Sequence, residues 1–140
     1  MGTKPIFTNI AEERYTPPNT TAVFATGNGA QATVTVAAGV TGQRRVLRSV
    51  YFDCIANSTS GGILVAGTVG CYVIDGASGG TAYLFKAVAF IGSTGIARVS
   101  AENLDVPGSA ATGLTAEFSG AVTNGLEQIE MNYYNIGPSA

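Results

Sequence analysis

The chain has 140 residues, a net charge of −2 and no histidine, and only 11% of its residues are charged, against about 25% in an average soluble protein. Its length fits one domain that buries a core without metals or disulfides, and its acidic balance lacks the basic field that nucleic-acid binding requires. No apolar run reaches the roughly 20 residues of a membrane helix, and the first residues lack the apolar stretch of a signal peptide. We therefore expect neither nucleic acid nor a membrane as a partner, and synthesis in the cytoplasm.

Residues 1–21 predict an extended N-terminal arm that precedes a β-sandwich domain over residues 22–140. This segment holds three of the five prolines, and the Pro17-Pro18 pair favours polyproline geometry. A solvated tail does not need the apolar residues of the arm, which are Ile6, Phe7, Ile10 and Tyr15. They predict either an arm that docks on a neighbouring subunit or a terminus that packs on its own domain or is partly disordered.

The rest of the chain has the pattern of short strands separated by glycine-rich turns. Asn28-Gly29 between two β-prone runs predicts a hairpin, and Asn124-Gly125 predicts the turn before the last strand. The eight predicted strands cover residues 21–25, 31–38, 44–56, 63–74, 81–91, 96–104, 114–118 and 126–136. No amphipathic helix of useful length is visible. The pattern predicts an all-β, single-domain antiparallel β-sandwich, most simply an eight-stranded jelly roll.

The strand predicted over residues 44–56 is the longest, and we expect the others to be arranged around it. Alternation places one apolar face toward the core, made of Val46, Val50, Phe52, Cys54 and Ala56. Arg48 interrupts this face and needs a buried partner or a place at the rim, and Glu102 and Glu117 are the candidate partners. The opposite face is too apolar for solvent and too polar for a core. It predicts a subunit contact through Arg45, Leu47, Tyr51 and Ile55.

The two cysteines, Cys54 and Cys71, are predicted to be buried free thiols. If residues 57–62 form a simple hairpin, the two cysteines are about six residues out of register. At about 3.3 Å per residue this separates them by about 20 Å, which is far beyond the range of a disulfide. A longer connection that crosses between sheets would weaken this estimate.

The residues that could carry catalysis do not form a convincing set. Residues 76–80 match G-x-S-x-G, the nucleophile elbow of serine hydrolases, but the chain has no histidine to accept the serine proton and a strand follows the motif. We interpret these residues as a glycine turn.

Glu127 and Glu130 fall on opposite faces of the last strand and are interpreted as solvated charges. Because the chain has no histidine and only two cysteines, we exclude a structural zinc site. We expect no enzyme, no cofactor, no metal and no small-molecule substrate.

The segment Arg45-Val46-Leu47-Arg48-Ser49-Val50-Tyr51, followed by the glycine-rich strand of residues 63–75, resembles small virion proteins of tailed bacteriophages. It is similar to capsid decoration, or cement, proteins in its strand and turn pattern. The similarity extends over residues 113–121 and Asn132-Tyr133-Tyr134, and so spans roughly residues 40–136. The resemblance implies a jelly-roll homotrimer without catalysis, located on the capsid exterior of the virion, that clamps neighbouring copies of the major capsid protein.

Three hypotheses about function therefore stand beside one another. The first is a capsid decoration protein that stabilises the assembled phage head as a trimer. The second is a tail or receptor-binding component of the same particle. The third is a carbohydrate-binding β-sandwich module, in which Tyr51, Tyr72 and Tyr83 stack on sugar rings. Tryptophan, a frequent sugar-stacking residue, is absent, and tyrosines at strand edges or interfaces are the favoured explanation of these positions.

Overall fold

The computed structural model describes residues 19–57, 67–92 and 96–138, and every regular element in these ranges is a strand. The strands are β1 (Thr21–Asn28), β2 (Thr33–Val36), β3 (Arg44–Ala56), β4 (Gly67–Asp75), β5 (Tyr83–Ile91), β6 (Ala97–Ala101), β7 (Val106–Pro107), β8 (Leu114–Phe118) and β9 (Gly125–Ile136). They form two antiparallel sheets packed against each other. The prediction of an all-β antiparallel sandwich is confirmed. Within the described ranges, no helix is long and apolar enough to cross a membrane.

The first sheet has the strand order β1-β9-β3-β6, with the two-residue β7 also paired to β3, and the second sheet has the order β2-β8-β4-β5. All pairings are antiparallel. β3 pairs with β9 from Arg44 to Ala56 on one side and with β6 from Val50 to Cys54 on the other. The longest predicted strand is therefore an interior strand of the first sheet.

The predicted hairpin at Asn28-Gly29 is wrong, because β1 and β2 lie in different sheets. β1 pairs with β9 and β2 pairs with β8, so the Asn-Gly segment turns the chain from one sheet to the other. Gly29 has a left-handed φ of 63°, and its N–H donates to the carbonyl of Gly125 at 2.8 Å. At Gly27 a side chain would meet the carbonyl oxygen of Ala30 at 2.1 Å. Backbone crowding thus makes this corner depend on glycine.

The alternation of β3 shifts at a β-bulge between Leu47 and Ser49. Leu47 faces Tyr133 of β9 and Ser49 faces Asn132, so β3 carries one extra residue at this point. An extra residue reverses which side chains face inward. The Leu47 side chain therefore belongs to the core, with no exposed surface. The prediction that Leu47 lies on the contact face is wrong for this reason.

The core fills the space between the two sheets and includes side chains from both. Phe52 of β3 lies at its centre, stacked on Phe85 at 6.2 Å between ring centroids and edge-to-face with Phe118 at 5.4 Å. Beyond the bulge, the predicted inward positions Val50, Phe52 and Cys54 are all buried. The inner face of β3 is thus confirmed over this half of the strand.

Both cysteines are free and buried, as predicted. Cys54 lies in β3 of the first sheet and Cys71 in β4 of the second. The hairpin register assumed for them is wrong, because the two strands do not pair. Burial, with a smaller contribution from the charge of Glu127, raises the pKa of Cys54 to about 11 and that of Cys71 to about 12. Both thiols are therefore protonated and unreactive near neutral pH.

β8 is buried on both faces, although alternation predicted a half-buried strand. Its outward residues are covered by the turn between β4 and β5. Thr115 donates its hydroxyl to the carbonyl of Gly76 at 2.8 Å, and Glu117 accepts hydrogen bonds from the Ser78 hydroxyl at 2.5 Å and the Gly79 N–H at 3.0 Å. The glycine turn is confirmed, and it covers the outer face of the second sheet at this point.

Candidate functional site

A shallow cleft of about 570 Å³ lies on the outer face of the first sheet. Residues paired across neighbouring strands point to the same side of a sheet, so the outward side chains of this face form two rows. One row is Thr26 of β1, Gln128 of β9, Asp53 of β3 and Arg98 of β6. The other row is Phe24 of β1, Glu130 of β9, Tyr51 of β3 and Ser100 of β6. All eight side chains belong to residues that line the cleft.

The floor of the cleft holds charged and polar groups that are paired with one another and still partly exposed. Arg98 Nε lies 3.2 Å from Asp53 Oδ1, with 70% and 36% of the two side chains exposed. Glu130 accepts a hydrogen bond at 3.0 Å from the amide of Asn132, which also donates to the Ser49 hydroxyl. These groups are fixed in place yet accessible to a ligand.

Tyr51 stands in the middle of the cleft and donates its hydroxyl to Glu102 Oε1 at 2.6 Å. This hydrogen bond, followed by burial, raises the pKa of Tyr51. The phenol therefore stays neutral at physiological pH. The cleft therefore offers hydrogen-bond donors and acceptors to a polar ligand.

The four residues of β3 predicted as subunit contacts do not lie together on one surface. Tyr51 and Ile55 are partly buried on the outer face, and Leu47 is in the core. Arg45 lies beyond the bulge, where it donates twice to the carbonyl of Ala37 at 3.1 and 2.8 Å and once to Asn135 at 2.6 Å. Arg45 thus holds the segment after β2. The contact role of Arg45, Tyr51 and Ile55 stays a prediction.

The arm residues Ile6, Phe7, Ile10 and Tyr15 lie outside the described residues. The same holds for residues 63–66, the first part of the strand predicted over residues 63–74. The docking role predicted for the arm therefore stays a prediction.

Arg48 has a different partner from the two that the sequence suggested. Its guanidinium contacts Asp105 at 2.5 Å and donates to Asn103 at 2.9 Å, whereas Glu102 binds Tyr51 and Glu117 is held by the β4–β5 turn. Asn103 and Asp105 both have left-handed φ values, a conformation that Asn and Asp tolerate better than most residues. The Arg48 side chain is 24% exposed, so it lies at the rim of the sandwich.

The outward side chains of β5 form an exposed, largely apolar surface, which we call the β5 face and which consists of Tyr83, Lys86, Val88 and Phe90. Phe90 is 78% exposed and Val88 is 50% exposed. Lys86 lies over the ring of Tyr83 at 4.8 Å. This surface has a signal in the sequence, because residues 81–91 are apolar on nearly both faces. Among the strands of residues 19–57, 67–92 and 96–138, β5 is also an edge strand of the second sheet, so within these ranges its backbone offers unpaired hydrogen-bonding groups.

Glu127 is fully buried, so its interpretation as a solvated charge is wrong. Oε1 accepts the N–H of Ala32 at 2.9 Å and Oε2 accepts the N–H of Val122 at 3.0 Å. Burial raises the pKa of this carboxyl, and the two backbone hydrogen bonds oppose the shift. Glu127, Ile129 and Met131 are alternate residues of β9, so strand alternation places Glu127 on the inner face with the other two. The side chain ties the corner after β1 to the segment before β9.

Together these features define an all-β sandwich protein with a polar cleft on one sheet and an apolar edge strand on the other. No protein-family model matches the chain, and no curated protein matches it in sequence. The two surfaces and the resemblance to phage virion proteins are therefore the features that bear on function.

Proposed function

We propose that the protein is a virion structural protein, a capsid decoration protein that binds and stabilises an assembled phage head as a homotrimer. The observation that carries this proposal is the β5 face, where Phe90 and Val88 are exposed on an edge strand. Apolar patches and open strand edges on a free monomer favour aggregation. Because this protein exposes both an apolar patch and a strand edge, we infer that a partner covers them in the assembled state.

The strand order supports the jelly-roll architecture that the resemblance implies. When the two-residue β7 is left aside, the remaining strands can be numbered one to eight along the chain. The sheets then have the orders 1-8-3-6 and 2-7-4-5. Successive strands lie in alternate sheets except for β4 and β5, which pair with each other. This is the arrangement produced by two Greek keys, as in the jelly rolls of viral capsid proteins.

Assembly through the β5 face fits the distribution of charge better than assembly through the outer face of β3. The cores of protein interfaces are depleted in charged residues and enriched in aromatic ones. The outer face of β3 carries Asp53, paired with Arg98, whereas the β5 face has Lys86 as its one charge among the four residues that define it. We therefore assign the main subunit contact to β5. The N-terminal arm adds contacts to a neighbour or to the shell.

On the phage head, the trimer presents three equivalent contacts to copies of the major capsid protein. Linked contacts raise the overall affinity well above that of one weak contact. A protein with only 11% charged residues fits this mechanical role, and its place is the exterior of the virion. The decoration protein thereby holds neighbouring capsid subunits together.

Replacing Phe90 by serine tests the assembly surface. Loss of a buried phenylalanine costs about 1.5–3 kcal/mol per contact, so we expect F90S to weaken subunit association about ten- to hundredfold. Light scattering at micromolar concentration then gives a trimer for the wild type and a monomer for the variant. Phe24→Ser is the matched control, because Phe24 is also exposed, at 65%, but lies on the first sheet. A monomeric wild type, or equal effects of both substitutions, contradicts the proposed trimer contact.

Cosedimentation with empty phage capsids tests the contact with the shell. We expect the wild type to sediment with the capsids and F90S to remain largely in solution, because monovalent binding is weaker. Electron microscopy of virions that carry the labelled protein gives its position. Label at the tail would contradict the decoration role and support a tail or receptor-binding component.

A further inference from the structure

The cleft on the outer face of the first sheet has the dimensions of a site for an extended polar ligand. Its volume of about 570 Å³ falls within the roughly 300–1,000 Å³ of ligand sites in proteins. Each row of the cleft crosses four strands, which at about 4.8 Å between strands gives a length of about 14 Å. A short linear oligomer can therefore lie across the strands and contact one side chain from each of them.

The rows combine an exposed aromatic ring with side chains that make paired hydrogen bonds. Phe24, 65% exposed, stands at the β1 end of its row, where the flat ring can contact an apolar ligand face. Asp53 and Arg98 present a carboxylate and a guanidinium that are both partly exposed, and each can bind two neighbouring hydroxyl groups at once. Gln128 adds an amide beside them. A sugar ring, with one apolar face and a rim of hydroxyls, matches this combination.

The charges in and beside the cleft select among polar ligands. Asp53, Glu130 and the neighbouring Glu102 are acidic, and Arg98 is the one basic residue in the two rows. Phosphates and acidic sugars are repelled by this balance. A second copy of the chain also fits poorly, because a subunit contact would bury the Asp53–Arg98 pair, and burying an ion pair carries a large desolvation cost.

From this geometry we propose that the cleft binds a neutral oligosaccharide, with Phe24 stacked on one sugar ring and Asp53, Arg98 and Gln128 bound to hydroxyl groups. This site differs from one built on the tyrosines, because Tyr72 and Tyr83 lie on the second sheet and contact each other at 4.9 Å. It is also separate from the β5 face. A decoration protein with this site carries a sugar-binding surface on a sheet that its assembly contact leaves open.

Titration of the wild-type protein with soluble neutral oligosaccharides, followed by amide NMR spectra, tests the proposal. The probes are maltohexaose, cellohexaose and tetra-N-acetylchitotetraose at millimolar concentration, and sialyllactose is the acidic comparison. We expect at least one neutral probe to shift amides of β1, β3, β6 and β9 around the cleft. Sialyllactose should bind more weakly, because its carboxylate meets the acidic side chains.

Two variants locate the site. Phe24→Ala should weaken binding of that probe about three- to tenfold, the size expected for one aromatic stacking contact, and Gln128→Ala should weaken it by a similar factor. F90S, in which β5 is changed, should bind as the wild type does, and this holds even if the trimer proposal fails. The proposal is overturned if no neutral probe shifts the cleft, if Phe24→Ala binds as well as the wild type, or if sialyllactose binds as tightly. It is also overturned if Phe24→Ser dissociates the oligomer, because the cleft is then a subunit contact.

Discussion

Replacing Glu127 by alanine is expected to lower the free energy of unfolding by about 2–6 kcal/mol, a large part of the roughly 5–15 kcal/mol that stabilises a typical domain. Both carboxylate oxygens accept backbone hydrogen bonds, one from Ala32 and one from Val122, and the side chain is fully buried. Alanine leaves both N–H groups without their acceptor, and each such loss costs about 1–3 kcal/mol. Urea denaturation measures the difference.

Glu130→Ala is the matched control for this effect. Glu130 lies on the outer face of the same strand and accepts one hydrogen bond, from Asn132. Its replacement should cost about 1 kcal/mol or less, because solvent can satisfy the groups that it leaves. Equal losses in the two variants would mean that the Glu127 hydrogen bonds contribute little to stability.

The carboxyl of Glu127 should also make stability depend on pH. Burial raises its pKa above the ordinary 4.5, so the folded state holds the proton more tightly than the unfolded state. The corresponding stabilisation is complete below about pH 4.5 and is lost as the pH rises through the raised folded pKa. As the pH rises through the folded pKa, the wild type loses this stabilisation, whereas Glu127→Gln does not, because an amide does not titrate. We therefore expect the free energy of unfolding of the wild type to fall relative to that of Glu127→Gln as the pH increases. A difference that stays constant from pH 4 to pH 8, measured by urea denaturation, would show that the pKa is not raised.

The strands themselves could be predicted because their signal is local. Alternation and turn residues predict strands over residues 44–56, 114–118 and 126–136. The corresponding strands in the structure are β3 (Arg44–Ala56), β8 (Leu114–Phe118) and β9 (Gly125–Ile136). The choice of sheet could not be predicted in the same way. It depends on pairing between distant segments, so the Asn28-Gly29 corner has the sequence of a hairpin and yet joins two sheets.

Burial of the charged residues followed from contacts that alternation does not describe. Strand alternation places Glu127 on the inner face. Its burial, however, depends on the N–H groups of Ala32 and Val122, which lie far from each other in the sequence. Strand alternation points Glu117 outward, but the turn that contains Ser78 covers its side chain. The bulge after Leu47 adds one residue to β3 without a glycine or proline to mark it. For Glu127 the local pattern and the burial agree, whereas for Glu117 and for the residues around the bulge the tertiary structure overrides the local pattern.

The candidate site was less predictable than the strands, because four strands build the cleft. Of its residues, Tyr51 was expected at a surface contact, while Phe24, Arg98 and Gln128 join it through the register of β1, β6 and β9. Neighbours in a row are separated by tens of positions in the chain. Their assembly follows from strand order, and no local motif in the sequence records it.

Phe52→Ala is expected to lower the free energy of unfolding by about 3–5 kcal/mol, the cost of removing a fully buried aromatic ring. Phe52 is 1% exposed and contacts Phe85 and Phe118, both contributed by the second sheet, so its loss opens a cavity between the sheets. Phe24→Ala makes the same change at a ring that is 65% exposed, and it should stay within about 0.5 kcal/mol of the wild type. If urea denaturation gave similar losses for both, the two sheets would not be held together by the packing of Phe52.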